Sequence, residues 1–174
     1  MLIHSMLAAT AMLQPSDEEA VLQTVDRFFE AYYDRNVAGV KATLAQGALG
    51  HGLVVNGDSR GITAPLDMHQ WAESLKTLTT RNNELYWEPK VEIRAGSLAQ
   101  FWAPYVIEVD GVLTHCGIDA FTLVKAQDEW KLSSLQFTME PRGCDELGYD
   151  IRREGMRPAS LVEHLEGKIR LPRQ

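Results

Sequence analysis

The residue best suited to hold or donate a proton is Asp119, set in the apolar run Gly117-Ile118-Asp119-Ala120-Phe121. A carboxyl in such surroundings loses hydration, which raises its pKa and makes it a proton donor or shared-proton acid. The plainer alternative is an aspartate that hydrogen-bonds Gln136 or a backbone group and fixes the sheet. His51, in the apolar segment 49–55, is a candidate for moving a proton, the work an imidazole side chain commonly does. Its alternative is a half-exposed strand histidine. Trp71, Trp102, Tyr32, Phe28 and Phe121 are candidate walls for a flat ligand, with Gln136 beside Asp119 at its polar end. Their helical and strand spacing equally suits a closed core. His115 is four residues from Asp119 on one strand, about 13 Å away at about 3.3 Å per residue, so the two form no direct dyad. Glu140 and Glu108 are the expected ion-pair partners of His115.

Composition limits what these residues can serve. The 174 residues carry 17 Lys+Arg against 24 Asp+Glu, a net charge of -7. Residues 141–174 hold seven basic and six acidic side chains, leaving ten and eighteen on residues 1–140, a net of -8. An acidic body without a basic stripe argues against nucleic acid as partner, and it repels anionic lipid headgroups. No apolar run approaches the ~18–20 residues that span a bilayer. Cys116 and Cys144 are too few for a disulfide framework and lack zinc-site spacing. A bond between them is feasible, because five residues after Met139 can double back, and it would form only in an exported chain. The apolar residues 1–13 read as a frayed arm or the remnant of a signal peptide, leaving cytoplasm and periplasm both open.

The elements that must position the candidates follow from periodicity. Ser16-Asp17-Glu18-Glu19 is a capping box that opens a helix of about twenty residues with Val21, Val25, Phe28 and Tyr32 on one face, closed by Asn36. A short helix to Gln46-Gly47 and a strand at 49–55 follow, and Asp67 caps a third helix bearing Met68, Trp71, Leu75 and Leu78. Then the period drops to two. Strands are expected at 85–94, with Pro89 marking an edge or bulge, and at 98–109, 112–125 and 129–140. Asp110-Gly111 and Gln127-Asp128 supply the hairpin turns. Helices first and an antiparallel meander after make an α+β fold over residues 16–140, with residues 141–174 as a C-terminal extension.

Counting back from two-residue turns pairs Trp102 with Asp119, Asp119 with Gln136, and His115 with Glu140. One sheet face then carries Phe101, Tyr105, Ile107, Cys116, Leu135 and Phe137. The other carries Trp102, His115, Asp119, Phe121, Leu132 and Gln136. Both are too apolar to remain wet. The Asp119 face is the expected pocket lining, and the other the expected homodimer interface.

The segments VDRFFEAYYDRNVAGV (25–40), HCGIDAFTLVK (115–125) and WKLSSLQFT (130–138) resemble the nuclear-transport-factor-2-like (NTF2-like, SnoaL-like) superfamily. FWAPY…DGVLTHCGIDAFTLV…WKL is also similar to a little-characterised branch bearing the name lumazine-binding. The resemblance implies a cone of helices wrapped on a curved antiparallel sheet. Ile118-Asp119-Ala120-Phe121 matches the Ile-Asp-x-Phe strand of ketosteroid isomerases, whose neutral Asp donates to a developing oxyanion. Their helix tyrosine falls on Phe28, with Tyr32 one turn later as a substitute donor. Their base falls near His51-Gly52, where this chain has no carboxylate.

Three readings result. The first is a homodimeric cone protein binding a compact hydrophobic or aromatic molecule against Trp102, Tyr32, Phe121, Trp71 and Phe28. The second is an isomerase, dehydratase or cyclase needing neither metal nor organic cofactor, with His51 moving the proton and Asp119 and Tyr32 stabilising the oxyanion. It requires His51 and Asp119 to converge on one cavity. The third is a dimeric interaction module with a vestigial pocket.

Overall fold

Ser16 caps the first helix as predicted: its side chain accepts from the Glu19 N–H at 3.2 Å and starts α1 (Asp17–Tyr33). The computed structural model describes residues 15–149, 155–162 and 164, so the expected arm, Pro15 apart, lies outside the described residues. Arg35 at φ 55° breaks the helix. Asn36 does not close α1; its side chain accepts from the Gly39 N–H and caps α2 (Val37–Thr43). β1 (Leu44–Asn56), β2 (Ser59–Ile62) and β3 (Leu66–Asp67) follow, and Asp67 caps α3 (Met68–Ser74) through the His69 and Gln70 N–H groups. The single strand expected at 85–94 is two, β4 (Asn82–Tyr86) and β5 (Lys90–Arg94), because Glu88 at φ 46° and Pro89 interrupt it. β6 (Leu98–Val109), β7 (Val112–Ala126) and β8 (Glu129–Met139) are joined at Asp110-Gly111 and Gln127-Asp128. All four turn residues have positive φ, as tight hairpins require.

Among the described residues the sheet has eight strands in the order β2-β1-β8-β7-β6-β4, with β3 on β1 and β5 on β6. It is mixed rather than wholly antiparallel, because β1 runs parallel to β8. Their connection is residues 57–128, so the long crossover that parallel pairing needs is available.

The expected β6–β7 register is off by one, and this decides which residues meet. Glu108 pairs with Leu113 but Ile107 pairs with His115, so Thr114 is an extra residue. Its hydroxyl donates to the Ile107 carbonyl at 3.1 Å. With side chains alternating at period two, one extra residue turns the following strand over. Trp102 therefore pairs with Ala120, Asp119 with Ala103 and Phe137, and Cys116 rather than His115 with Glu140. A second bulge at Ser133, opposite Thr122 and Leu123, brings Leu132 and Leu135 to the same side. Asp119, His115 and Phe121 thus share the helix-covered face with Phe101, Tyr105 and Ile107.

That inner face and the helices form the main core, with Val21, Val25, Phe29, Phe101, Phe121 and Leu132 almost fully buried. A smaller cluster on the outer face packs Leu85, Val106, Leu113 and Cys116 against Cys144, Tyr149, Met156 and Leu161 of the C-terminal extension. Cys116 and Cys144 form a disulfide, with Cα atoms 5.0 Å apart. The Thr114 bulge permits it, by turning Cys116 outward. Arg157 then pairs through both backbone bonds with Tyr86 and reaches Asp26 of α1 at 2.6 Å. Short α4 (Ala159–Val162) follows in the extension.

A buried acidic cavity under the helices

A cavity of about 210 Å³ lies between the inner sheet face and the helices. From α1 come Phe28, Phe29 and Tyr32, from α3 Met68 and Trp71, and from β8 Leu135, Phe137 and Met139. Phe28 stacks on Trp71 at 6.1 Å, and Tyr32 tilts against it at 5.1 Å. β1 leaves room because glycines face inward: a Cβ on Gly50 would meet the Met68 sulfur at 2.6 Å.

The polar groups of the cavity are concentrated on the sheet. Asp119 is fully buried, and neither of its oxygens has a hydrogen-bond partner. Burial raises its pKa well above the usual carboxylate range, and the neighbouring Glu84 charge raises it further. Burial likewise pushes Glu84 up to about 8. Glu84 and His115 both pair with Ile107, from opposite sides of β6, and line the same cavity. His115 Nε2 lies 3.0 Å from the Tyr105 hydroxyl, which donates to the Thr138 carbonyl at 2.6 Å. The other ring nitrogen, Nδ1, lies 3.2 Å from the Thr114 hydroxyl, so the ring is held between Tyr105 and Thr114. Burial lowers the His115 pKa to about 4 and keeps the ring neutral. Tyr32, raised to about 12 chiefly by burial, accepts from Asn82 Nδ2 at 2.5 Å.

Of the residues singled out from sequence, the cavity brings together Asp119, Tyr32, Phe28, Trp71 and Phe121. It does not include Trp102, Gln136 or His51. These three, with Ala120, form one row across the outer face, Trp102 pairing Ala120, Ala120 pairing Gln136 and Gln136 pairing His51. Trp102 is 51% exposed. Asp119 and His51 therefore face different spaces, and Gln136 does not satisfy Asp119. His115 meets Tyr105 instead of the expected Glu140, which accepts from the Thr138 hydroxyl. Outside the cavity, His69 bonds the Ala45 carbonyl at 2.9 Å, and His164 stacks on Tyr33.

Sequence reading missed Glu84 and Tyr105 as site residues. Arg81-Asn82-Asn83-Glu84 looks like a polar turn, so the strand was expected to begin at Leu85. The available signal was parity: Tyr86 faces the core, and Glu84 two residues earlier must share its face. No cluster of three or more metal-ligating side chains occurs among the described residues. No described helix is long and apolar enough to cross a membrane.

Neither a protein-family model nor a curated protein matches the sequence. Solved structures do resemble the fold. An NTF2-like protein from Cytophaga hutchinsonii superposes with a TM-score of 0.58 at 8% identity, covering 72% of this chain and 99% of that one. A Mycobacterium tuberculosis protein of unknown function superposes at 0.57 with 11% identity, covering 86% of each chain. A proposed scytalone dehydratase from Novosphingobium aromaticivorans superposes at 0.55 with 11% identity, over 71% of this chain and 83% of its own. At such identities the likeness establishes a shared fold.

Proposed function

Because the chain has the NTF2-like α+β fold, with helices packed on a curved sheet, we propose that its interior cavity binds one compact, largely aromatic molecule. The observation that carries this reading is the cavity itself, with aromatic walls and the unpartnered Asp119 carboxyl in its lining. At about 210 Å³ it is smaller than the ~300–1,000 Å³ of pockets for drug-sized ligands, so a single ring with a short arm is the scale that fits. A screen of one-ring probes by ligand-observed NMR tests it, using wild type and Leu135→Phe, which fills the cavity. Binding to wild type that the filled variant loses is the expected result. Equal signals from both proteins would remove the cavity from the account.

A second reading, acid–base catalysis without cofactor, is favoured by one arrangement: two carboxyls, Glu84 and Asp119, line the same cavity, where burial pushes Glu84 up to about 8. His51 stands on the other face, so Glu84 and Asp119 would replace it as the proton-moving groups. Hydrogen–deuterium exchange beside the carbonyl of cyclohexanone, faster with wild type than with Glu84→Gln, is the expected outcome. Equal rates would end that reading.

The exposed part of the outer face supports the homodimer. Leu49, Leu53, Leu98 and Trp102 are all more than a third exposed on it. Sedimentation of wild type as a dimer and Trp102→Arg as a monomer is expected. A monomeric wild type would refute it.

A further inference from the structure

We propose that the molecule this cavity takes is a cation, a small cyclic or aromatic amine whose ammonium group is neutralised by Asp119 and Glu84. The inference rests on the binding reading above and names the chemical class of its ligand.

Hydrogen-bond accounting leads there. Asp119 is sealed from outer solvent and both its oxygens lack a donor. A buried acceptor without a partner costs about 1–3 kcal/mol, more when charged, so the arrangement persists best if something else supplies the donors. The protein does not. No polar group of the lining bonds Asp119: Tyr105 gives its proton to Thr138, and the two ring nitrogens of His115 lie against the Tyr105 and Thr114 hydroxyls. Tyr32 from α1 accepts from Asn82, and Glu84 from β4 is a second carboxyl. The lining contains neither lysine nor arginine.

A neutral carbonyl ligand would solve half of this deficit. It would accept one proton from a neutral carboxyl and leave the second oxygen of that carboxyl bare. An ammonium carries three donors and no acceptor, so it serves carboxylate oxygens and replaces the mutual repulsion of two acids by attraction. The remaining walls suit the same charge, because the rings of Trp71, Phe28 and Tyr32 line the cavity. A net charge of -7 further favours approach of a cation.

Calorimetric titration at pH 7 with benzylamine, and with benzyl alcohol as its neutral isostere, tests the proposal in two buffers of different ionisation enthalpy. Benzylamine is expected to bind at least tenfold more tightly and to release protons into the buffer, because it makes the carboxyls ionise. Asp119→Asn and Glu84→Gln, each checked for an unchanged fold by circular dichroism, should each reduce that preference by about tenfold. Benzyl alcohol binding as tightly as the amine, without proton release, would overturn the cation and leave the cavity reading intact. Binding of neither at millimolar concentration would overturn both.

Discussion

Tyr105 and Gly117 face one another across β6 and β7, and the tyrosine ring occupies the space a side chain at 117 would need. A Cβ on Gly117 would lie 2.6 Å from Tyr105 Cε1 and 1.9 Å from the Thr138 carbonyl oxygen. The missing side chain is what lets the Tyr105 hydroxyl reach both Thr138 and His115. Gly117→Ala is therefore expected to destabilise by about 3 kcal/mol, since a backbone carbonyl yields less than a side-chain tip. Tyr105→Phe should cost less, about 1–2 kcal/mol, through lost hydrogen bonds alone. Urea denaturation of the two variants should keep that order; the reverse would contradict the packing described.

Stability should fall with rising pH through the titration of Glu84. A carboxyl raised by folding binds its proton more tightly in the folded state. Its contribution is full below the unfolded pKa and is lost as pH rises through the folded value. For Glu84 the window runs from 4.5 to about 8. His115 acts oppositely: lowered from 6.5 to about 4, it contributes stability that grows with pH and is complete above its unfolded value. The interval from pH 6.5 to 9 therefore isolates the carboxyls. Glu84→Gln should melt close to wild type at pH 5 and progressively higher than wild type from pH 6.5 to 9. A constant difference in Tm would refute buried titration.

What the sequence made legible was whatever rests on local rules. The Ser16 and Asp67 caps and the Asp110-Gly111 and Gln127-Asp128 turns depend on a few neighbouring residues, and all four are present. Pairing across strands is different, because it depends on counting. Thr114 has no chemical mark distinguishing a bulge from an ordinary strand residue, yet it decides whether Asp119 meets Trp102 or the aromatic cluster under α1. The candidates on helices, Phe28, Tyr32 and Trp71, therefore survived in the cavity. Of the strand candidates, Trp102, Gln136 and His51 went to the opposite face. Asp119 stayed with Phe121 because both lie on β7 with the same parity.

The disulfide should matter to stability. Joining Cys116 to Cys144 closes a loop of sequence separation 28, which on chain-entropy grounds contributes about 3–4 kcal/mol. Cys144→Ser should lose most of that in chemical denaturation under oxidising conditions, and reductant should lower wild type toward the variant. Insensitivity of wild type to reductant would show that packing of Tyr149, Met156 and Leu161 holds the extension unaided.

Arg157 provides a second clamp. Its guanidinium meets Asp26 at 2.6 Å and the Tyr86 hydroxyl at 3.1 Å, while Tyr86 itself donates to Asp26 at 2.8 Å. Burial raises the Asp26 pKa, so removing its cation leaves a poorly solvated carboxylate. Arg157→Ala is expected to cost about 2 kcal/mol, below the range for fully buried pairs because the arginine is partly exposed. Arg157→Lys should recover less than half, since a point charge cannot serve Asp26 and Tyr86 together. Matched thermal melts would check both.

The backbone of that same arginine carries a consequence of another kind. Tyr86 lies on β4, the last strand in the sheet order, whose unpaired amides and carbonyls would otherwise invite a foreign strand. By exchanging both backbone bonds with Arg157, Tyr86 lends that rim to a segment of its own chain. The extension is then a guard against misassembly as much as a brace, and a molecule stripped of it would precipitate before it unfolds.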